Sequence, residues 1–197
     1  MWPQDASERV AVLGRARRAM EVGFERILER LPFELVELHR DLGSEFFNAH
    51  LVRYWKEKVV GVKLSRSRPY EKNENRMVEQ KNDTLVRHYF GHLRLDTPEQ
   101  IAAMNVIYEK MWVYYNLFQP VLHLCQKTVV EDKIQRKWDQ AQTPFERLKA
   151  TGKLSAQQQH YLQALYEQTN PRQLRDEIYR LLTLLWEQAT QLANPAA

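Results

Sequence analysis

Strand-like and helix-like runs alternate through residues 7–90 of this chain, and that alternation restricts it to a layered α/β structure. Ser7 to Leu13 reads as a short strand ended by Gly14. Residues 16–31 then place Ala19, Met20, Gly23, Phe24, Ile27, Leu28 and Leu31 at helical spacing. Pro32 stops that helix, because proline disfavours helical backbone at the residue before it. Leu35, Val36 and Leu38 make a second strand, with Asp41 just past its end and Gly43 in a tight turn. Phe46 to Glu57 reads as a helix with Phe46, Phe47, Leu51, Tyr54 and Trp55 inward. Val59 to Leu64 is a third strand, Ser65 to Asn75 a polar loop punctuated by Pro69, and residues 76–90 a further helix.

The second half changes character. Thr97-Pro98-Glu99-Gln100 is a helix start: a Thr cap, Pro at the first helical position, and Gln to close a capping box. That helix runs to Phe118. Leu122 to Val130 and Lys133 to Lys137 form a basic hairpin or strap. Thr143-Pro144-Phe145-Glu146 opens another helix by the same logic, and residues 155–168 and 170–192 form two more. In the last of these, Leu174, Ile178, Leu181, Leu182, Leu185 and Ala189 keep an apolar stripe. The change of pattern puts a soft boundary at residues 119–125, dividing the chain into residues 1–120 and residues 121–197.

Composition removes several classes. At 197 residues and 44% hydrophobic content the chain suits a globular protein of ordinary size. No run approaches the ~18 apolar residues of a membrane span. The start, Met1-Trp2-Pro3-Gln4-Asp5, has no basic-then-apolar signal pattern. One cysteine, Cys125, rules out an internal disulfide framework and a cysteine-based zinc site. The expected compartment is the cytoplasm. The net charge is +4 with a pI near 9.1, compatible with a nucleic-acid partner without establishing one. The positive charge is clustered at Arg15, Arg17 and Arg18, at Lys63, Arg66, Arg68 and Lys72, and at Lys127, Lys133, Arg136 and Lys137. Each cluster on its own is equally an ordinary solvated face.

Two acids stand in settings that suit phosphoryl transfer. Asp41 follows a strand, and Glu79 sits early in the helix Val78-Glu79-Gln80-Lys81-Asn82, with 37 residues between the two acids. A phosphodiester is attacked in line, and a pair of divalent ions about 4 Å apart serves the entering and leaving oxygens. Mg2+ takes hard oxygen ligands and keeps several waters, so a few carboxylates suffice. Either acid alone has a plainer reading, since an Asp just past a strand is commonly a turn former. Such chemistry also calls for a third acid.

Taken together, H-R-D-L-G-S-E-F-F-N-A-H-L at His39 to Leu51, S-R-S-R-P-Y-E-K-N-E-N at Ser65 to Asn75 and V-E-Q-K-N at Val78 to Asn82 resemble the catalytic core of DDE transposases of the retroviral-integrase superfamily. The resemblance is to the bacterial insertion-sequence branch. It continues through Asp96-Thr97-Pro98, Asn116-Leu117-Phe118-Gln119-Pro120 and Trp138-Asp139-Gln140-Ala141-Gln142-Thr143-Pro144, and so spans most of the chain. It implies a ribonuclease-H-like α/β core in residues 1–120, followed by a mostly helical region with a short basic β strap. It further implies a Mg2+- or Mn2+-dependent reaction at DNA ends, with Asp41 as the second catalytic acid and Glu79 as the third.

Two departures stand out. The family usually has Asn after the second Asp, where this chain has Leu42. The first acid is not found; Asp5, the nearest acid, lies beside Pro3 and outside any apolar strand. The expectation is that the first two strands of the core are absent and that the chain begins inside the fold.

Arg66, Arg68 and Lys72 flank the loop before Glu79 and are candidates for holding DNA phosphates, with Tyr70 able to stack on an unpaired base. Lys81 and Arg87 lie on or near the Glu79 helix, where they would follow a DNA backbone or solubilise the surface. None of the six histidines shows a ligand spacing, and Trp55, Trp112 and Trp186 fall on apolar stripes as core. The expected function is DNA transposition or integration with little or no strand transfer by this chain alone. DNA and a second copy or a full-length transposase are the expected partners. The alternatives are a non-catalytic DNA-binding or oligomerising remnant that modulates the full-length enzyme, and a helical interaction protein whose acids are incidental.

Overall fold

A computed structural model describes residues 21–40, 49–68, 76–92, 95–130 and 133–193. The chain is mixed α/β and forms two compact units divided between Asn82 and Asp83. The division lies upstream of the change in sequence character at residues 119–125. The expected strand at Ser7 to Leu13 and the cluster Arg15, Arg17 and Arg18 lie outside the described residues.

In the first unit, helix α1 (residues 21–30) precedes strand β1 (Glu37–Arg40), helix α2 (Ala49–Lys58) and strand β2 (Lys63–Arg66). β1 and β2 pair in parallel, Glu37 opposite Lys63 through Arg40 opposite Arg66. Parallel neighbours need a long crossover, and the connection carrying α2 supplies it. Both strands lie later than the apolar runs suggest. Gly61, at a φ of 81°, makes the turn after α2, so β2 begins at Lys63 rather than Val59. Leu51, Tyr54 and Trp55 are buried on α2, as their spacing predicts. Phe24 of α1 meets Trp55 with ring centroids 4.7 Å apart, so the two helices share an aromatic contact.

The second unit takes up most of a helical run that starts with α3 (Arg76–Lys81), widens into a π-helical stretch at Asn82–Arg87, and ends as α4 (His88–Phe90). Helix α5 (Pro98–Val113) starts on the capping box read from the sequence. Thr97 accepts from the Gln100 amide, and the Gln100 side chain accepts from the Thr97 amide. α5 also ends in a π-helical turn, Tyr114–Phe118. Strands β3 (Leu124–Val130) and β4 (Lys133–Trp138) then pair antiparallel, with a bulge at Cys125. Helices α6 (Pro144–Ala150), α7 (Ala156–Gln168) and α8 (Pro171–Ala193) complete the chain.

Phe90, Ile107, Met111, Ile178, Leu182 and Leu185 form the main core, packing α4 and α5 on α8. Leu85, Val86 and Tyr89 pack against it, which is why the run beyond Asp83 belongs to this unit. A second cluster, Leu117, Phe145 and Leu162, takes in Trp112. Trp186 departs from the expected core placement: it is 37% exposed. Its neighbour Leu185 lies on the buried stripe, and one residue further is about 100° round the helix. Among the described residues, no helix is long and apolar enough to cross a membrane.

Candidate functional site

The carboxyl ends of parallel strands are where open α/β sheets present ligand sites, and β1–β2 is such a parallel pair. β1 ends at Arg40, and Asp41 is the next residue in the chain. Asp41, Tyr70 and Lys72 themselves lie outside the described residues. β2 ends at Arg66, which is exposed and in register with Arg40; Ser67 is buried, and Arg68 is exposed. The structure therefore brings Arg66 and Arg68 together where β2 ends. Glu79 and Lys81 share α3 and are both exposed. Among the described residues Glu79 has neither an ion pair nor a hydrogen bond, so its carboxylate is a free hard-oxygen donor of the kind Mg2+ or Mn2+ takes. No three His, Cys, Asp or Glu side chains converge as a metal site among the described residues.

One arrangement at this strand pair escaped the sequence reading. Glu37 and His39 alternate onto one face of β1, and Ser65 of β2 and Ser67 just past its end come up beside them. Ser65 Oγ donates to Glu37 Oε1 at 2.5 Å, and Lys63 Nζ lies 3.3 Å from Glu37 Oε2. A hydroxyl has one hydrogen, so Ser65 accepts from His39 Nδ1–H at 2.7 Å. The other ring nitrogen, Nε2, lies 3.1 Å from Ser67 Oγ. The Ser65 hydrogen bond, with Lys63 beside it, holds the Glu37 carboxyl below its ordinary range. His39 therefore ties the β2 exit to β1 and is committed to serines rather than open to a metal. Its signal was the i, i+2 pairing Glu37/His39 and Ser65/Ser67, which becomes legible only when the register of the two strands is known.

The second unit holds a cavity of about 260 Å³ lined by Tyr89, Tyr114, Tyr115, Gln119, Arg175, Ile178 and Tyr179. The π-helical turn helps to form it: the Gln119 amide reaches back five residues to the Tyr114 carbonyl. In that wider turn the successive residues Tyr114 and Tyr115 both reach the same space. The Tyr89 and Tyr115 hydroxyls are 2.5 Å apart. Burial pushes both phenols above the ordinary tyrosine range; hydrogen bonding adds to this at Tyr89 and opposes it at Tyr115. The Arg175 guanidinium lies 5.6 Å from the Tyr179 ring centre.

Uncharacterized protein y4rM of Sinorhizobium fredii is similar to this chain, with 34% identity over 116 residues. The matched stretch covers 59% of this chain and 33% of that relative, so the chain spans about a third of the relative's length. No protein-family model matches the chain. No solved structure matches it either.

Proposed function

We propose that this chain is a transposase- or integrase-like protein acting on DNA, with a ribonuclease-H-like core in which Asp41 and Glu79 are two acids of a divalent-metal site. The observation that carries the reading is the β1–α2–β2 unit. It is a parallel strand pair with a helix in the crossover, and the Asp of the D-x-G-S-E-F motif is next in sequence to Arg40, the last described residue of β1. The unpartnered Glu79 carboxylate on α3 supports it. Mg2+ or Mn2+, when bound, would activate the entering oxygen and stabilise the leaving one at a phosphodiester. Asp41 and Glu79 would act as oxygen ligands, with Arg66, Arg68, Lys72 and Lys81 holding phosphates and Tyr70 stacking on an unpaired base.

With two acids in the family motifs rather than three, little or no strand transfer is expected from this chain alone. That count also favours a second reading, a DNA-binding or oligomerising protein that modulates a full-length transposase without turnover.

Calorimetric titration of the full chain with Mn2+ tests the metal site. Asp41→Asn and Glu79→Gln are each expected to weaken binding by roughly tenfold or more, the scale on which even outer-sphere partners act. Unchanged Mn2+ binding in both variants would refute the site. Mg2+-dependent cleavage of an element end by the pure chain, lost in Glu79→Gln, would keep the site and overturn the expected inactivity.

A further inference from the structure

The β3–β4 ribbon is built unlike the rest of the second unit. All six residues of β4 are exposed, and so are Leu124, Cys125, Gln126, Lys127 and Val129 of β3. A lone two-stranded hairpin is marginally stable in water, and this one is held at its root. Arg147 Nη1 lies 2.6 Å from Asp139 Oδ2, while Nη2 donates to the Val121 carbonyl at 2.8 Å and the Gln140 carbonyl at 3.2 Å. Asp139 Oδ1 accepts from the His123 amide at 2.7 Å. Val121 and Gln142 close the root as a β-bridge. The arm projects from a clasp that ties both its ends to α6.

Its charge is arranged against its own stability. Lys127 lies directly opposite Arg136, and like charges in facing positions repel. The strand alternation puts Lys133 and Lys137 on the other face. None of these four cations forms an ion pair among the described residues. On the Lys127–Arg136 face the apolar pairs Val129–Ile134 and Leu124–Trp138 stand on either side of the cationic row. A second copy covering that face would bury both cations in an interface to which the ribbon's described residues bring no acid, an arrangement that costs heavily. A polyanion relieves the repulsion instead.

We infer that the β3–β4 ribbon is a duplex-DNA arm in which Lys127, Lys133, Arg136 and Lys137 engage backbone phosphates. At ~3.4 Å per residue the ribbon is roughly 20 Å long, and the DNA major groove, about 12 Å wide, admits a two-stranded ribbon. Cations on both faces suit an element set between two phosphate walls. The inference takes DNA as the partner class from the proposed function and assigns it residues other than Asp41 and Glu79.

Fluorescence anisotropy of the full chain on a labelled duplex, across a salt series, tests the arm. The variant Lys127→Gln/Arg136→Gln/Lys137→Gln should bind more weakly, by roughly eightfold per phosphate contact at 0.1 M salt. The slope of log K against log salt should shrink by about 0.9 per contact. Lys153→Gln/Arg172→Gln/Arg180→Gln removes the same charge from exposed positions elsewhere in the second unit, and should leave the slope alone. Circular dichroism should report the same folded content for both. Equal losses in the two variants, or no loss in either, would overturn the arm. So would a ribbon variant that changes only the solution mass, which would point to a second copy, or ribbon-dependent binding that prefers a single strand. Glu79→Gln, run alongside, should keep the full salt slope while losing Mn2+ binding. A failed arm with an intact Mn2+ response leaves the metal site standing, and the converse leaves the arm standing.

Discussion

The Arg147 guanidinium and the Asp139 carboxylate meet at 2.6 Å, joining the start of α6 to the end of β4. Hydrogen bonding from Arg147, with the His123 amide second, holds the Asp139 carboxyl below its ordinary range. A lowered folded-state value means that the stabilisation is present above the unfolded Asp value of about 3.9 and is lost as pH falls through the folded one. Melting temperature followed from pH 7 to pH 2 should therefore drop on the acid side in the wild type. Asp139→Asn should melt lower at pH 7 and lose part of that acid-side dependence. Identical curves for the two proteins would remove the clasp from the account of the ribbon root.

The α5–α8 interface should show a sharp contrast between neighbouring turns. Leu182 is fully buried in the main core, so Leu182→Ala leaves a cavity and should cost about 2–5 kcal/mol. Trp186, one turn on and 37% exposed, keeps part of its surface in solvent, so its alanine variant should cost less than that of Leu182. Urea unfolding of both variants with unchanged m-values checks this. A Trp186→Ala loss as large as that of Leu182→Ala would mean that the exposed flank of α8 carries packing of its own.

The paired phenols give an alkaline counterpart to the clasp. Tyr89 and Tyr115 are held above the ordinary tyrosine range by burial. A raised folded-state value means that their contribution is complete below the unfolded value of about 10 and is lost as pH rises beyond it. Ultraviolet titration should show these two tyrosines ionising at higher pH than the exposed tyrosines. Tyr89→Phe removes the hydrogen bond between the two hydroxyls and should cost about 1 kcal/mol at neutral pH. Ionisation of all the tyrosines together in one step near the ordinary value would contradict the burial argument.

Local signals carried the legible part of the fold. Thr-Pro-x-Gln and Thr-Pro-x-Glu place α5 and α6 correctly, because a capping box needs only four consecutive residues. Ser155-x-x-Gln158 caps α7 in the same way and could have been read by the same rule. The basic strap emerges as an antiparallel ribbon over nearly the expected residues. What was not legible depends on pairing across distance. The Glu37–Ser65–His39–Ser67 chain needs the β1–β2 register, and Arg147 as the partner of Asp139 and Val121 needs the ribbon root already folded. The π-helical turn at Tyr114–Phe118 leaves no periodicity that differs from an ordinary helix over so short a run. Of the candidate site, Arg66, Arg68, Glu79 and Lys81 are exposed, and Asp41, Tyr70 and Lys72 lie outside the described residues.

Glu79 differs from Asp139 and Glu37 in having no partner among the described residues. An acid kept for the fold has a partner, as Asp139 has Arg147 and Glu37 has Ser65 and Lys63. Glu79 is exposed on α3 with no such partner among the described residues, so its charge contributes little to folding. Glu79→Gln should leave the melting temperature unchanged without metal, within the ~0.5 kcal/mol expected of a surface substitution. In the wild type, Mn2+ that binds only the folded chain should raise the melting temperature in proportion to the logarithm of its concentration. Glu79→Gln should diminish that rise. Thermal scans with and without Mn2+ on the two proteins give all four values. A melting temperature that falls in Glu79→Gln without metal would make this acid a structural residue, and an undiminished Mn2+ shift would exclude it as a ligand.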